Sequence, residues 1–235
     1  MPYVSDRPRY YRGMRVAYVT AWSSEVPQDA SDPHLVLRAP TDGADPYTAY
    51  TDERFGDRSH GVLWARTGDS PGYGRPRFAS MHTARQRAVM HAAACQICTG
   101  PGELWLAPAT AYEQHAAANG PGAAYESTDP PICRACLNQA ISQCPNLRSR
   151  GYVLLTPRHW EISKVRGFVA DPETLECGDY TDIALPAHSD FDPRRARLAL
   201  AKGLIATLHD PIAHTDLRAT GLGPRRDPAP IRPRR

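Results

Sequence analysis

The sequence predicts an α+β fold, and three patterns in it lead there. Short runs rich in β-branched and aromatic residues, bounded by turn residues, fill the first 79 positions and read as strands. Two Cys-x-x-Cys pairs stand in the middle, Cys95-Gln96-Ile97-Cys98 and Cys133-Arg134-Ala135-Cys136, with 34 residues between them. Behind the second pair, Leu137, Ala140, Ile141 and Cys144 recur at i, i+3, i+4 and i+7, the stripe of an amphipathic helix.

Taken in order, residues 1–13 form a polar, aromatic and basic arm. Residues 16–22 (VAYVTAW) are the first strand, 34–38 (HLVLR) a second and 61–66 (GVLWAR) a third, so 1–79 is a β-rich N-terminal unit. Ser80 is the expected N-cap of a helix that runs through Ala94 into the first cysteine pair. Residues 103–107 (ELWLA) read as a strand, and 111–119 as a short helix ended by Gly120. The helix after Cys136 stops before Pro145, because proline disfavours helical geometry in the residue ahead of it. Residues 80–150 therefore make a central module with flanking helices. Beyond it, 151–156 and 160–169 are expected to pair as a hairpin, with 171–191 a loop. Asp192 as N-cap and Pro193 at the first helical position open a C-terminal helix to Leu208, striped by Leu198, Ala201, Ile205 and Leu208. These elements make a third unit, 151–220. The tail 221–235, with five arginines and four prolines, has too little apolar surface to offset its ordering entropy and reads as disordered.

The chemistry concentrates on the cysteines. Four thiolates in two knuckles suit one tetrahedral Zn²⁺, with Zn–S bonds of about 2.3 Å. Cys95, Cys98, Cys133 and Cys136 are the candidate ligands of a single structural zinc. Knuckle, hairpin and then a helix opened by the second pair is the order of a treble clef, whereas a plain zinc ribbon has no helix after the second pair, so the module reads as treble-clef-like. Two disulfides or a redox motif are the alternative reading of the same four residues. Cys144 is excluded as a fifth ligand, since eight helical residues carry it about 12 Å from Cys136. It reads as a core thiol, and Cys177 as a free structural cysteine.

Charge narrows the partner class. The net charge is only +3, and its distribution says more: residues 1–69 sum to −2, 70–160 to +4 and 161–235 to +1. No carboxylate lies between Asp69 and Glu103, nor between Pro130 and Trp160. Arg75, Arg77, Arg85, Arg87, Arg148 and Arg150 fall in these stretches and are candidates for phosphate contact, because a guanidinium fork pairs bidentately with phosphate. A solvated basic face is the other reading of the same residues. The opening residues are too polar for a signal peptide, and no run reaches the ~20 apolar residues of a membrane span. A cytoplasmic protein with no membrane partner is expected.

No Walker loop, dinucleotide-binding glycine pattern or nucleophile elbow is present in the sequence. HNH-type nucleases share a treble-clef-like site braced by cysteine pairs, and His115, eighteen residues ahead of Cys133, resembles their general base in spacing. The match is degenerate, because Glu113-Gln114-His115 lacks the acid that directly precedes the histidine in that family.

The combined pattern resembles a family of uncharacterised actinobacterial proteins. The resemblance is carried by 16–23 (VAYVTAWS), 60–66 (HGVLWAR), Cys95-Gln96-Ile97-Cys98, Leu104-Trp105-Leu106, 130–136 (PPICRAC) and Cys144-Pro145-Asn146-Leu147. It implies zinc and a cytoplasmic bacterial setting, and no mechanism. The expected function is a zinc-stabilised nucleic-acid-binding protein, regulatory in kind, with DNA or RNA as partner and no catalysis of its own. A divergent HNH-type nuclease and a protein-interaction or structural component are the alternatives.

Overall fold

The computed structural model describes residues 8–25, 34–39, 43, 45–174 and 176–215. The basic tail lies outside the described residues, as do most of the expected N-terminal arm and the side chain of Cys177. The chain runs through β1 (Arg9–Tyr11), β2 (Met14–Val16), β3 (Thr20–Trp22), β4 (Leu35–Arg38), β5 (Tyr47–Tyr50), β6 (Arg58–Ser59), β7 (Val62–Trp64), β8 (Pro76–Met81) and helix α1 (Thr83–His91) before the first cysteine pair. Strand β9 (Trp105–Pro108), helix α2 (Ala109–Asn119) and β10 (Tyr125–Ser127) separate the pairs. A 3-10 turn over Arg134–Cys136 then opens α3 (Leu137–Gln143) and α4 (Pro145–Arg150). Strands β11 (Tyr152–Thr156), β12 (His159–Ala170) and β13 (Cys177–Ala184), helix α5 (Pro193–Arg197), β14 (Ala199–His209) and β15 (Ile212–His214) complete it. The architecture is mixed α and β, and rich in strand.

The largest sheet has the order β13-β12-β14-β7-β6, with β10 also paired to β14. Its centre, β14, lies antiparallel to β12 and parallel to β7, where Leu200 meets Leu63 and Ala201 meets Trp64. Elements from before and after the cysteine module thus share one sheet. Helix α1 is tied to this strand by Gln86, which donates from Nε2 to the Leu204 carbonyl at 2.9 Å and accepts from the Leu204 N–H at 3.0 Å. Gly167 of β12 leaves no room for a side chain, since a Cβ there would lie 2.3 Å from the Leu200 carbonyl oxygen.

A smaller sheet, β15-β11-β9, supports the cysteine module. Successive strand residues point to opposite faces, and β9 and β11 use both. Trp105, Ala107, Val153 and Leu155 join the main core with Trp64, Val165, Leu204 and Leu208. Leu104, Leu106 and Leu154 face the other way, packing with Ile97, Ile132, Leu137 and Leu147 around Cys95 and Cys136. The cysteine module is therefore built onto the back of a buried sheet.

Four expectations need correction. The C-terminal helix is confined to Pro193–Arg197, and the apolar residues after it form β14. That strand is covered on both faces, and a strand so placed reads as a continuous apolar run without alternation. Residues 160–169 do not pair with 151–156; β12 pairs with β13 and β14, while β11 pairs with β9 and β15. The supposed loop 171–191 contains β13. Ser80 belongs to β8, and His82 is the N-cap of α1, its ring accepting from the Arg85 N–H. The short helix before Gly120 forms as α2, stopped where Gly120 takes φ 92°.

Candidate metal centre and the basic surface beside it

Helix α1 delivers the first cysteine pair. Its end bends through Ala93, at φ 49°, and the Ala94 N–H returns to the Val89 carbonyl at 2.9 Å, a Schellman-type stop. The knuckle closes at once. The Thr99 N–H donates to the Cys95 carbonyl at 2.9 Å, the Cys95 N–H to the Gly100 carbonyl at 2.6 Å, and the Ile97 N–H to Cys95 Sγ at 3.5 Å. Leu104 and Ile132 exchange both backbone hydrogen bonds, at 3.1 and 2.7 Å, which brings the second pair back over the first. The Cys136 N–H donates to the Cys133 carbonyl at 3.1 Å, and α3 starts directly behind it.

The four sulfurs of Cys95, Cys98, Cys133 and Cys136 lie within 4.8 Å of one another, and Cys98 Sγ stands 3.6 Å from Cys133 Sγ. A tetrahedral ion with metal–sulfur bonds of about 2.3 Å has sulfur–sulfur edges of about 3.8 Å. A disulfide needs about 2.05 Å, and all four cysteines are free. The donor set and spacing can hold a metal ion. Electrostatics point the same way. Hydrogen bonds from Cys136 and nearby backbone N–H groups draw the Cys95 thiol down to about 5. Burial and the Cys95 charge push Cys133 up to about 11, and the hydrogen bond to Cys95 sends Cys136 up as well. Four thiols this close resist a second negative charge, and a dication removes that resistance. Cys144 stands outside the cluster, half-buried between α3 and α4.

The six candidate arginines divide. Arg77 on β8, Arg75 just before that strand, and Arg148 and Arg150 on α4 are exposed. None of their guanidinium groups has an ion-pair or hydrogen-bond partner among the described residues, and β8 and α4 touch. Arg87 is half-buried, its guanidinium 4.5 Å from the centre of the Trp64 ring. Arg85 is a correction. It is buried and forks onto Glu25, with Nη1 2.7 Å from Oε1 and Nη2 2.6 Å from Oε2, and it also meets Asp69 at 2.9 Å and the Thr20 carbonyl at 2.9 Å. Glu25 is fully buried, and it accepts further from the Trp22 and Ser70 N–H groups at 2.8 and 3.1 Å. Burial pushes this carboxyl up, but Arg85 and the Trp22 N–H outweigh it and hold the pKa below the ordinary value.

Glu25, Asp69 and His82 also come close enough to hold a metal. Arg85 already supplies the positive charge there, and the His82 ring is bonded to the Gly68 carbonyl at 3.0 Å. This cluster braces the fold. His115 sits on α2 with its ring edge-on to Tyr125, centroids 5.2 Å apart, and its Nδ1 3.3 Å from the Asn119 amide. It joins none of the potential metal-binding groups among the described residues.

Two features carry no clear mark in the sequence. One is the Glu25–Arg85 pair, whose partners stand 60 positions apart. The other is a cleft between β8 and the α3–α4 corner, containing Asp129. No family model, curated protein or solved structure matches the chain. Among the described residues no helix is long and apolar enough to cross a membrane.

Proposed function

We propose that this chain is a zinc-stabilised protein that binds nucleic acid through its phosphates and performs no chemistry of its own. The observation that carries this reading is the group of four guanidiniums without partners among the described residues: Arg77 on β8, Arg75 just before it, and Arg148 and Arg150 on α4, which touches β8 beside the cysteine cluster. By contrast, Arg58, Arg66, Arg85 and Arg166 pair with carboxylates. Basic groups that stay unpaired where the neighbouring sequence lacks acids keep their full attraction for an external polyanion.

Zinc is the ion proposed for the cysteines, because a tetrahedral all-thiolate set favours it among the divalent metals. Knuckle, bridged return and helix support the treble-clef-like reading of the module. A closed four-sulfur site leaves no coordination position for substrate, so the metal's part is to hold α3 and α4, and with them Arg148 and Arg150, against the sheet. Free thiols fit a reducing cytoplasm.

The test is fluorescence anisotropy with labelled single-stranded DNA and RNA, titrated across salt. Four phosphate contacts predict a slope of log K against log salt of about −3. Replacing any one of the four arginines by Ala is expected to weaken binding on all sequences and to flatten the slope by about 1. No binding at low salt, or binding indifferent to salt, refutes the proposal.

A further inference from the structure

The cleft beside the module has a volume of about 160 Å³. Sites for drug-sized ligands run to about 300–1,000 Å³, so this one takes a single ring system and leaves the rest of its ligand outside. Two features of the fold open onto it. In the ladder between β3 and β8, Met81 lies opposite Thr20 and Arg77 opposite Ala21. Phe78, Ala79 and Ser80 therefore have no partners in that ladder, and all three line the cleft. Such bulges re-aim side chains and recur beside binding sites.

The second feature is Asp129. Its N–H and carbonyl are both engaged by Ser127 Oγ, which fixes the backbone, while its carboxyl has neither an ion pair nor a hydrogen bond among the described residues. Burial pushes this carboxyl up to about 6, with no neighbouring cation drawing it down. At neutral pH Asp129, which lines the cleft, thus carries a carboxylate with no partner among the described residues. Its natural complement is a flat group that presents two adjacent N–H donors and stacks against Phe78.

We infer that the cleft receives one unpaired guanine base of a bound strand, with Asp129 accepting from its N1–H and N2–H₂ groups. Guanine is chosen over the other bases by donor pattern. On the Watson–Crick edge, adenine and cytosine offer a single amino group beside an acceptor nitrogen, and uracil one N–H between two acceptors. A base is readable on that edge only when unpaired, so the ligand is single-stranded. The inference rests on the nucleic-acid reading above. It supplies what four phosphate contacts lack, a preference for sequence, since phosphate contacts position and base contacts specify.

Calorimetric titration of the full chain with guanosine, adenosine, cytidine and uridine isolates the cleft from the arginines, because nucleosides carry no phosphate. Guanosine is expected to bind at least about tenfold more tightly than the other three. Asp129→Asn, which replaces one acceptor by a donor, should remove that preference. Ala79→Leu, a substitution at an exposed residue of the bulge, should block the cleft with Asp129 intact. Arg148→Ala should leave guanosine binding unchanged. A preference absent from the native chain, or one that survives both cleft variants, overturns the inference. Salt-sensitive binding of oligonucleotides without guanine preference would overturn it while the phosphate reading stands. Guanosine binding that depends on Asp129, found with no oligonucleotide binding, would support the cleft and defeat the phosphate reading.

Discussion

Arg85 and Glu25 make the sharpest demand on the fold. Replacing Arg85 by Met removes the fork and leaves the Glu25 carboxylate, which has no exposed side-chain surface, with only the Trp22 and Ser70 N–H groups. Removing one partner of a buried ion pair costs about 3–5 kcal/mol, because the remaining charge stays desolvated. The double variant Arg85→Met/Glu25→Gln takes away both charges and is expected to recover a large share of that loss, so the two substitutions should be strongly non-additive. Urea unfolding of the four species gives the cycle. Their pH dependence gives an independent sign. In the native chain the Glu25 carboxyl is held below its ordinary value. Its contribution is complete above about pH 4.3 and is lost as pH falls through the lowered pKa. In Arg85→Met burial is opposed only by the Trp22 and Ser70 N–H groups, so Glu25 rises, and stability should instead fall as pH rises through that raised value. A loss below about 1 kcal/mol in Arg85→Met, the range of exposed pairs, would refute the reasoning. Parallel pH profiles in the two proteins would refute it too.

Two further substitutions test how the sheets are held. Gly167→Ala would set a Cβ 2.3 Å from the Leu200 carbonyl oxygen and 2.7 Å from Ala201 Cα, backbone atoms that cannot swing aside. A loss of about 2–3 kcal/mol by thermal or urea unfolding is expected. Gln86→Leu leaves the Leu204 N–H without its acceptor and the Leu204 and Thr128 carbonyls without a donor. It should cost about 2–4 kcal/mol in the same assay, with the slow amide exchange of Leu204 lost first.

What could be read from the sequence follows from how local each feature is. The cysteine cluster was legible because ligand spacing within a pair is a local property, and the return of Cys133 onto Cys95 is what such pairs do around a metal. The fate of Arg85 was not. Absence of acids along the chain is not absence in space: Glu25 and Asp69 reach it from 60 and 16 positions away. Arg75, Arg77, Arg148 and Arg150 meet no such acid among the described residues. Strand β14 is hidden in the sequence for a different reason. Leu198, Ala201, Ile205 and Leu208 do fit a helical stripe, and Asp192 with Pro193 does open a helix. The stretch is apolar on both faces, so periodicity cannot separate the two; β-branched Ile205 and Thr207 favour a strand, and Gly203 disfavours a helix. Asp129 shows nothing in sequence, because what distinguishes it is the missing partner.

The most direct test of the account is zinc content measured together with fold, on the native chain and on Cys133→Ser/Cys136→Ser. The account predicts about one zinc per native chain. It also predicts that the variant loses both the metal and much of the circular dichroism signal, because a structural metal supplies folding free energy outright. Freshly purified native chain without metal, or a variant that keeps the native spectrum without it, would contradict the claim that zinc holds the basic surface in place.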